Sequence, residues 1–576
     1  MSLHDSQPDG TDGDMTMDDM DRAHQGRVAI RAFQIIAHAL LLRGHYSMAG
    51  QSGQALEASL RTLSPEIYGS MNDPKRIELK GLEYIMDRLP RGIEQCNRFV
   101  MTVKGDLEGT SFEKLRPPSR RRISFRVSDR EMGFVISMGM SEIYDILTHL
   151  TFLYIEAKHI HSKTRDEDGK PIREWLRFEK DVYREEELAD EDLEQAIFNL
   201  SILLGRTYHE TKDTYDYLDK AKDELKSNNG LFQIIYSLRN LIEKEIQEND
   251  RLVVYFRPSL IDQIVHQLYG KKWAAAIKNK LAVLGLQDCP LHIISANLHS
   301  VVNLIYGYAA VKDKKARAPN KDLYTFIQHI SDREEQIKSF ASKHGFYEVV
   351  DESGAQTNWQ IIDTSKLKTV SFHPGIKLQS EKVRTQSPVL LVVDYAFGFQ
   401  AFELMDELLK PWETNGSTRN LEVQSISIMG KAGILPGEKG DIMLPTAHVL
   451  EGQAHNYMVN NDLTREDFDD DTDIYVGPIV TVLGTSLQNR EILEKFQTTS
   501  WKAIGLEMEG GHYQRAISAA IIRGHIPKDV KVRYAYYASD NPLKSGQTLA
   551  AGPMGLEGIR PTYMITKAIL QQILGT

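Results

Sequence analysis

The spacing of hydrophobic residues changes character near residue 287. Over residues 27–287, apolar side chains recur at intervals of three and four, as in 141–161, a stretch without Gly or Pro. From residue 288 onward, short β-branched runs alternate with helical patterns. The spacing therefore predicts a mostly α-helical N-terminal domain over 25–287, followed by an α/β domain over 288–576 with a mixed sheet flanked by helices.

The strands predicted for the second domain are runs of Val, Ile and aromatic residues bounded by turns. They span 291–295, 389–394, 423–429, 474–483, 503–506 and 530–538. Helical patterns between them include 399–409 and 511–522. Strands that alternate with helices favour a sheet that is parallel over much of its width.

Composition and charge limit the classes of function. Residues 1–24 are predicted to be a disordered acidic tail, because the first part of the chain is rich in Asp and has no Lys or Arg before Arg22. The net charge of −11 argues against binding of nucleic acid. The two cysteines, Cys96 and Cys289, suit a reducing compartment. With no signal-peptide pattern and no apolar run long enough to span a bilayer, we expect a cytoplasmic protein that does not bind membranes.

Two features of the first domain have both a functional and a structural interpretation. Arginines cluster around Pro117 and Pro118, where they could bind a phosphate or an acidic partner, or form a solvated loop with scattered ion pairs. The cluster consists of Arg116, Arg120, Arg121, Arg122, Arg126 and Arg130. Glu156 and His159 have the spacing of a metal site in helical bundles. Because this half has no second copy of that pair, polar residues on an exposed helix surface are favoured and no metal site is predicted.

Three short segments of the second domain carry candidate chemistry. Segment 430–435 (GKAGIL) follows a predicted strand, and glycines at a strand's carboxyl end let the backbone approach a ligand closely. Segment 505–511 (GLEMEGG) places two carboxylates at a strand-to-helix junction, where they can hold the hydroxyls of a sugar. Segment 539–543 (SDNPL) ends the last predicted strand, so its Asp points into the crevice that binds ligands in open α/β sheets.

In this order and at these distances, the three segments resemble those of the nucleoside phosphorylase/nucleosidase superfamily. That superfamily includes purine nucleoside phosphorylase, methylthioadenosine/S-adenosylhomocysteine nucleosidase and AMP nucleosidase. Its members have a Gly-x-Ala-Gly turn, a Glu-Met-Glu or Asp-Met-Glu segment that holds the ribose, and a late Ser-Asp pair. Segment 539–543 looks most like AMP nucleosidase. The resemblance covers residues 288–576 and implies a phosphorylase-like sheet, with Gly398 at a strand–glycine–helix turn.

The resemblance implies acid-assisted cleavage of an N-glycosidic bond. Asp540, positioned by Ser539, would protonate or hydrogen-bond the purine, which requires a raised pKa. Glu509 would accept hydrogen bonds from the ribose hydroxyls, and Met508 would pack on the sugar. Glu507 would assist with the hydroxyls or with the attacking water. Further substrate contacts are expected from the glycine segment, namely Gly430, Lys431, Ala432 and Gly433.

The groups that activate the nucleophile and bind a 5′-phosphate are less well defined by the sequence. Nucleosidases of this kind use a Glu in the loop after the first strand, but the matching loop, 295–299 (SANLH), has none. Asn297 and His299 are the candidates to replace it. Candidates for binding phosphate are Lys431, Lys544, Arg560 and Arg384.

The expected function is hydrolysis of the N-glycosidic bond of a purine nucleotide or nucleoside, in the manner of an AMP nucleosidase, with release of the free base. Two alternatives stay open: a purine nucleoside phosphorylase, which would use phosphate as its second substrate, and an inactive nucleotide-sensing or scaffold protein. The resemblance implies a homo-oligomer, with no metal and no organic cofactor. It assigns no role to the helical half.

Overall fold

The computed structural model describes residues 17–120, 122–183, 190–311, 322–378, 387–414, 417–469, 471–544 and 554–575. Helices and strands are numbered in chain order. Most of the predicted acidic tail lies outside the described residues, but helix α1 begins at Met17, inside the segment predicted to be disordered. The helix therefore starts within the segment that was predicted to be a disordered tail.

The N-terminal half is predominantly helical, as its spacing predicts. Its helices are α1 (Met17–Arg43), α2 (Gln51–Leu63), α3 (Leu79–Met86), α4 (Lys104–Leu107), α5 (Gly139–Lys163), α6 (Arg173–Val182), α7 (Asp190–Leu204), α8 (Tyr208–Leu225), α9 (Leu231–Glu248), α10 (Pro258–Val265) and α11 (Leu268–Val283). The stretch predicted from 141–161 forms α5, which is buried along almost its whole length.

A six-stranded sheet, which the helical spacing did not predict, also belongs to this half. Its strands are β1 (His45–Ser47), β2 (Arg98–Thr102), β3 (Glu113–Leu115), β4 (Ile123–Ser128), β5 (Glu131–Val135) and β6 (Val253–Phe256), in the order β1-β6-β2-β5-β4-β3. Strand β2 is parallel to both β5 and β6. Each strand has at most six residues, which is too short for a periodic signal to stand out among helices.

The arginine cluster is used inside the fold. Arg122 is fully buried and pairs with Glu142 at 3.2 Å and with Asp145 at 2.7 Å, both on α5. Arg120 also pairs with Asp145, at 3.0 Å. Arg121 lies outside the described residues. Arg130 pairs with Asp250, Arg126 donates to the backbone carbonyl of Asp129, and Arg116 is exposed. The ion pairs of the structural interpretation are therefore present, with Arg122 buried in the fold and not in a solvated loop.

The Glu-x-x-His pair is also in the interior, contrary to the exposed helix surface that the sequence favoured. Glu156 is fully buried and accepts a hydrogen bond from the backbone N–H of Glu78 at 3.0 Å. His159 lies 3.4 Å from it. In the described ranges, no group of three or more His, Cys, Asp or Glu side chains is placed to hold a metal ion.

The C-terminal half is an α/β domain built on a ten-stranded mixed sheet. Its strands are β7 (Leu291–Ser295), β8 (Phe346–Val349), β9 (Trp359–Asp363), β10 (Val389–Val393), β13 (Val423–Ile434), β14 (Ile442–Leu450), β15 (Asn456–Met458), β16 (Ile474–Thr481), β17 (Gly505–Glu507) and β18 (Lys531–Asp540), with β11 (Trp412–Thr414) and β12 (Ser417–Arg419) in a separate hairpin. Its helices are α12 (Leu298–Ala310), α13 (Leu323–His329), α14 (Glu334–Ala341), α15 (Gln400–Leu409), α16 (Arg490–Thr498), α17 (Gly510–Ile522) and α18 (Ile559–Leu574).

The candidate site lies at the centre of this sheet. Strand β7 is parallel to β10 and to β13, and β13 is parallel to β18. The carboxyl ends of these four strands therefore meet at one edge, which is where ligands of α/β sheets bind. All six predicted strands and both predicted helices of this half are present, with ends shifted by a few residues.

The two halves share a hydrophobic core. The cluster that includes Phe33 of α1 and Leu147 of α5 continues into the C-terminal half through Leu435, Val480 and Leu506. Polar contacts cross the same boundary, including the hydrogen bond between the hydroxyls of Tyr84 and Thr485 at 3.3 Å. None of the helices in the described ranges combines the length and apolar composition that a membrane crossing needs.

Candidate functional site

Glu509 lies where the N-terminus of α17 meets the loop that joins β10 to α15. Its Oε1 accepts a hydrogen bond from the backbone N–H of Gly398 at 2.8 Å. Burial and the charge of Glu507 raise the pKa of Glu509 to about 8. Gly398 has a φ of +55°, a conformation that favours glycine, and so can turn its N–H toward the carboxyl group.

Glu507 is engaged by the protein itself. One carboxylate oxygen lies 2.5 Å from the Thr481 hydroxyl, which donates to it, and 3.3 Å from Nδ1 of His448. The other accepts from the backbone N–H groups of Glu509 and Gly510. Although burial opposes ionisation, these contacts hold the pKa of Glu507 below its usual value. Because four contacts occupy the acceptor positions of its carboxylate, Glu507 positions the start of α17. Its expected role toward the sugar or the attacking water stays a prediction.

The N-terminal half contributes to this corner of the site, which the sequence did not predict. Ser141, in the first turn of α5, accepts a hydrogen bond from the backbone N–H of Phe399 at 2.7 Å. A small cavity beside Met508 is lined by Ser141, Tyr144 and Phe397. No local signal marks Ser141, because its position depends on how α5 docks against a loop 258 residues away.

Asp540 ends β18, next to Gly433 of β13. Its Oδ1 accepts a hydrogen bond from the Ser539 hydroxyl at 2.5 Å, whereas its Oδ2 is buried and has no partner among the described residues. Burial raises the pKa of Asp540, while the hydrogen bond from Ser539 and the charge of Lys431 oppose that rise. The predicted Ser-Asp pair and Lys431 are therefore close together, and one carboxyl oxygen is available to a ligand.

The glycine segment is part of a strand, not a turn. β13 continues through Gly430, Lys431, Ala432 and Gly433, and these residues pair with β18 on one side. Gly433 also pairs with Leu506 of β17. An added Cβ on Gly430 would lie 3.7 Å from the Tyr395 ring, an ordinary van der Waals distance, so packing alone does not require glycine there.

Four other predicted contacts serve neighbouring structure. The Asn297 side chain caps α12 by accepting from the N–H of Ser300 at 3.0 Å. The His299 side chain is exposed, although partial desolvation lowers its pKa, and its ring lies 6.0 Å from that of Tyr563. Lys544 pairs with Glu438, and Arg560 pairs with Asp471 at 2.5 Å. Arg384 lies outside the described residues.

A group of buried tyrosines also surrounds the carboxylates. The hydroxyl groups of Tyr395, Tyr534 and Tyr536 are buried without a partner among the described residues. Tyr513 shares a hydrogen bond with Ser295 at 3.1 Å. The alternating segment 530–538 (VKVRYAYYA) could have indicated this layer, since alternate residues of a strand share one face.

A family model matches residues 54–318 and 320–575, which together are most of the chain. The chain belongs to DUF6909, a family of unknown function. A search of curated proteins finds no match to this DUF6909 member.

Solved structures resemble the DUF6909 chain over half of its length. The futalosine hydrolase of Helicobacter pylori is 11% identical, with 50% of this chain and 97% of its own chain covered and a TM-score of 0.28. A mutant MTAN of the same organism, with 5'-methylthioadenosine in the active site, is 12% identical, with 50% and 98% covered and a TM-score of 0.29. Isoform 2 of uridine phosphorylase from Schistosoma mansoni, in complex with citrate, is 12% identical, with 50% and 88% covered and a TM-score of 0.29. At these values the likeness carries no conclusion about the chemistry of the DUF6909 chain.

Proposed function

We propose that this chain hydrolyses the N-glycosidic bond of a purine nucleotide or nucleoside and releases the free base. The observation that carries the proposal is Asp540, a buried carboxyl group at the carboxyl edge of the sheet with one oxygen unpartnered. The protein raises the pKa of this group by burial. A buried carboxyl group whose pKa is raised is better suited than an exposed one to donate a proton to a leaving group.

The proposed reaction uses the carboxyl groups of Asp540 and Glu509. Asp540 donates its proton to the purine ring as the bond from the base nitrogen to the anomeric carbon breaks, and the ring nitrogen takes the bonding electron pair. The ribose develops oxocarbenium character, and water adds to the anomeric carbon and releases a proton to solvent, from which Asp540 is protonated again. Glu509 holds the ribose hydroxyls through the oxygen that Gly398 does not use. Met508 packs against the sugar.

The test is base release by the full chain from AMP, adenosine, inosine, guanosine and methylthioadenosine, with and without phosphate. We expect free base in the absence of phosphate. Release only with phosphate would make the chain a phosphorylase. Binding without release would support the sensor alternative.

The matched variants are Asp540→Asn and, as a control, Asp529→Asn on the exposed surface. Because a positioned general acid contributes about 10²–10⁴-fold to rate, Asp540→Asn should lower kcat by at least about 100-fold and leave the melting temperature unchanged. Asp529→Asn should keep the kcat of the wild type. Full turnover by Asp540→Asn would contradict the acid role.

A further inference from the structure

A cavity of about 620 Å³ lies at the junction of the two halves. Its walls come from one face of α1, the first turns of α5 and α17, the end of β16 and residues 450–455 after β14. Its volume falls in the range of small-molecule sites, roughly 300–1,000 Å³. None of the site residues predicted from the sequence lines it, although Ser141 and Phe399 connect it to the Glu509 loop.

Two buried polar groups in the cavity wall lack protein partners. Glu451 is 1% exposed, and its Oε1 has no partner among the described residues. Its Oε2 has only a long contact, 3.4 Å, from the backbone N–H of Leu483. Nδ1 of His512 is likewise buried without a described partner. Because buried polar atoms are normally hydrogen-bonded, these two groups fit a ligand that carries hydrogen-bonding atoms.

The cations of the cavity are two arginines from different halves. Arg31 projects from α1 and Arg515 from α17, and no described carboxylate forms an ion pair with either. Burial raises the pKa of Glu451 to about 7, so below neutral pH its carboxyl group is protonated and does not offset the two guanidinium charges. Burial lowers the pKa of His512 to about 4, so its ring is uncharged and can hydrogen-bond as a neutral imidazole. The Arg515 guanidinium lies 4.7 Å from the centre of the Phe402 ring, a contact that leaves its N–H groups able to donate. Two guanidinium groups without carboxylate partners among the described residues match the oxygen atoms of a phosphate.

The cavity also has aromatic walls. His38 and Tyr144 meet edge to face with ring centroids 5.8 Å apart. Phe399 and His512 form a second such pair at 5.3 Å. Aromatic side chains in these arrangements provide flat apolar surface for a planar ring.

We propose that this cavity binds a small molecule in which a planar, hydrogen-bonding ring is joined to a phosphate group, as in a nucleoside monophosphate. Arg31 and Arg515 hold the phosphate, and Glu451 and His512 hydrogen-bond the uncharged part. The proposal does not depend on turnover at Asp540, because the cavity is lined by other residues.

The test is equilibrium binding of AMP, adenosine and ribose 5-phosphate to the full chain by calorimetry. The measurement is repeated with the Asp540→Asn variant, so that turnover cannot deplete the ligand. Binding to the cavity can then be judged separately from whether the proposed reaction occurs. We expect AMP to bind at least about tenfold more tightly than adenosine, the effect of one or two charged hydrogen bonds. Equal affinities for AMP and adenosine would overturn the proposal.

Three variants assign the binding to this cavity. Arg31→Gln combined with Arg515→Gln should weaken AMP and ribose 5-phosphate at least about tenfold and leave adenosine within about twofold. Arg43→Gln, at the exposed end of the same helix, is the matched control and should match the wild type. Ala454→Trp, which fills the cavity with an exposed lining residue, should weaken AMP and adenosine alike. Unchanged AMP binding in either the double variant or Ala454→Trp would overturn the proposal.

Discussion

Two glutamates of one short segment, Glu507 and Glu509, behave as opposites. Glu507 is buried among four contacts from side chains and backbone N–H groups, and its pKa is lowered. Glu509 has no such set of side-chain donors, and burial together with the charge of Glu507 raises its pKa to about 8. Hydrogen bonds to a carboxylate favour ionisation and burial without them opposes it, so the same residue type yields a structural anchor at one position and a group with a raised pKa two residues later.

Glu451 leads to a prediction about stability and pH. Burial raises its pKa to about 7 in the folded chain, above the ordinary value of 4.5. As the pH rises, the unfolded chain therefore loses this proton before the folded chain does. The contribution of Glu451 to the free energy of unfolding is fully present below pH 4.5, falls as the pH rises toward 7, and stays lower above that. Between pH 5 and pH 8, wild type should lose about 2 kcal/mol more free energy of unfolding than Glu451→Gln, which cannot ionise.

Urea unfolding of both chains at the two pH values measures this difference. The other titrating groups are common to both chains, and the Gln amide oxygen can still accept from Leu483. An identical loss of stability in the two chains would show that Glu451 ionises as easily in the folded state as in the unfolded state. Because Glu451 lines the cavity, the result also reports the charge that a ligand would meet there.

The elements of the C-terminal half were more predictable than those of the N-terminal half. Strands such as β7 and β10 are continuous β-branched runs, and local sequence is enough to find them. β1 pairs with β6 through residues such as His45 and Tyr255, so the pairing is set by tertiary packing that local spacing does not encode.

The candidate site likewise contains residues that the local sequence identifies and residues that only the tertiary structure reveals. The Glu-Met-Glu and Ser-Asp segments were found because their residues are adjacent in sequence. The sequence did not identify Ser141, nor did it identify Thr481 and His448, the buried partners of Glu507. These residues reach the site only because elements that are distant in sequence dock against each other. The glycine segment was assigned to a turn because glycines commonly end strands, whereas pairing on both sides of Gly433 extends β13 to Ile434.

The loop between β10 and α15 gives a prediction at the scale of the element. An added Cβ on Gly398 would lie 2.3 Å from the Ser141 hydroxyl, and the residue has a φ of +55°. Gly398→Ala should therefore cost more than the roughly 1 kcal/mol expected from the backbone conformation alone. The control is Gly524→Ala, where φ is +72° and nothing lies within 4 Å of the added atom.

Ser141→Gly, which removes the atoms in contact, tests the cause of the extra cost. Chemical denaturation of the two single variants and the double variant forms a double-mutant cycle. If the contact with α5 causes the cost, the double variant should be more stable than the sum of the single losses by about 1 kcal/mol or more. Strict additivity, or equal losses for Gly398→Ala and Gly524→Ala, would mean that α5 does not constrain this loop.

At the scale of the whole molecule, the helical half is part of the site and of the core. Ser141 holds the loop beside Glu509, α1 forms one wall of the large cavity, and Leu435, Val480 and Leu506 pack in a cluster with residues of the first half. The architecture therefore changes near residue 287, but one hydrophobic core continues across that boundary. This arrangement differs from a catalytic domain with an appended accessory domain, where few contacts would cross the boundary.

The shared core predicts that the halves do not fold independently. Expressed alone, 288–576 would expose the apolar surface that α1 and α5 cover, and contiguous apolar patches of this kind promote association. We expect this fragment to bind a hydrophobic dye and to unfold without a cooperative transition, while the full chain unfolds in one step by far-UV circular dichroism and by tryptophan fluorescence. Trp175 and Trp359 are buried in different halves, so single-Trp chains can report each half separately. Different midpoints for the two reporters, or a cooperative transition of the isolated fragment at the full chain's midpoint, would show that the contacts across the boundary contribute little to stability.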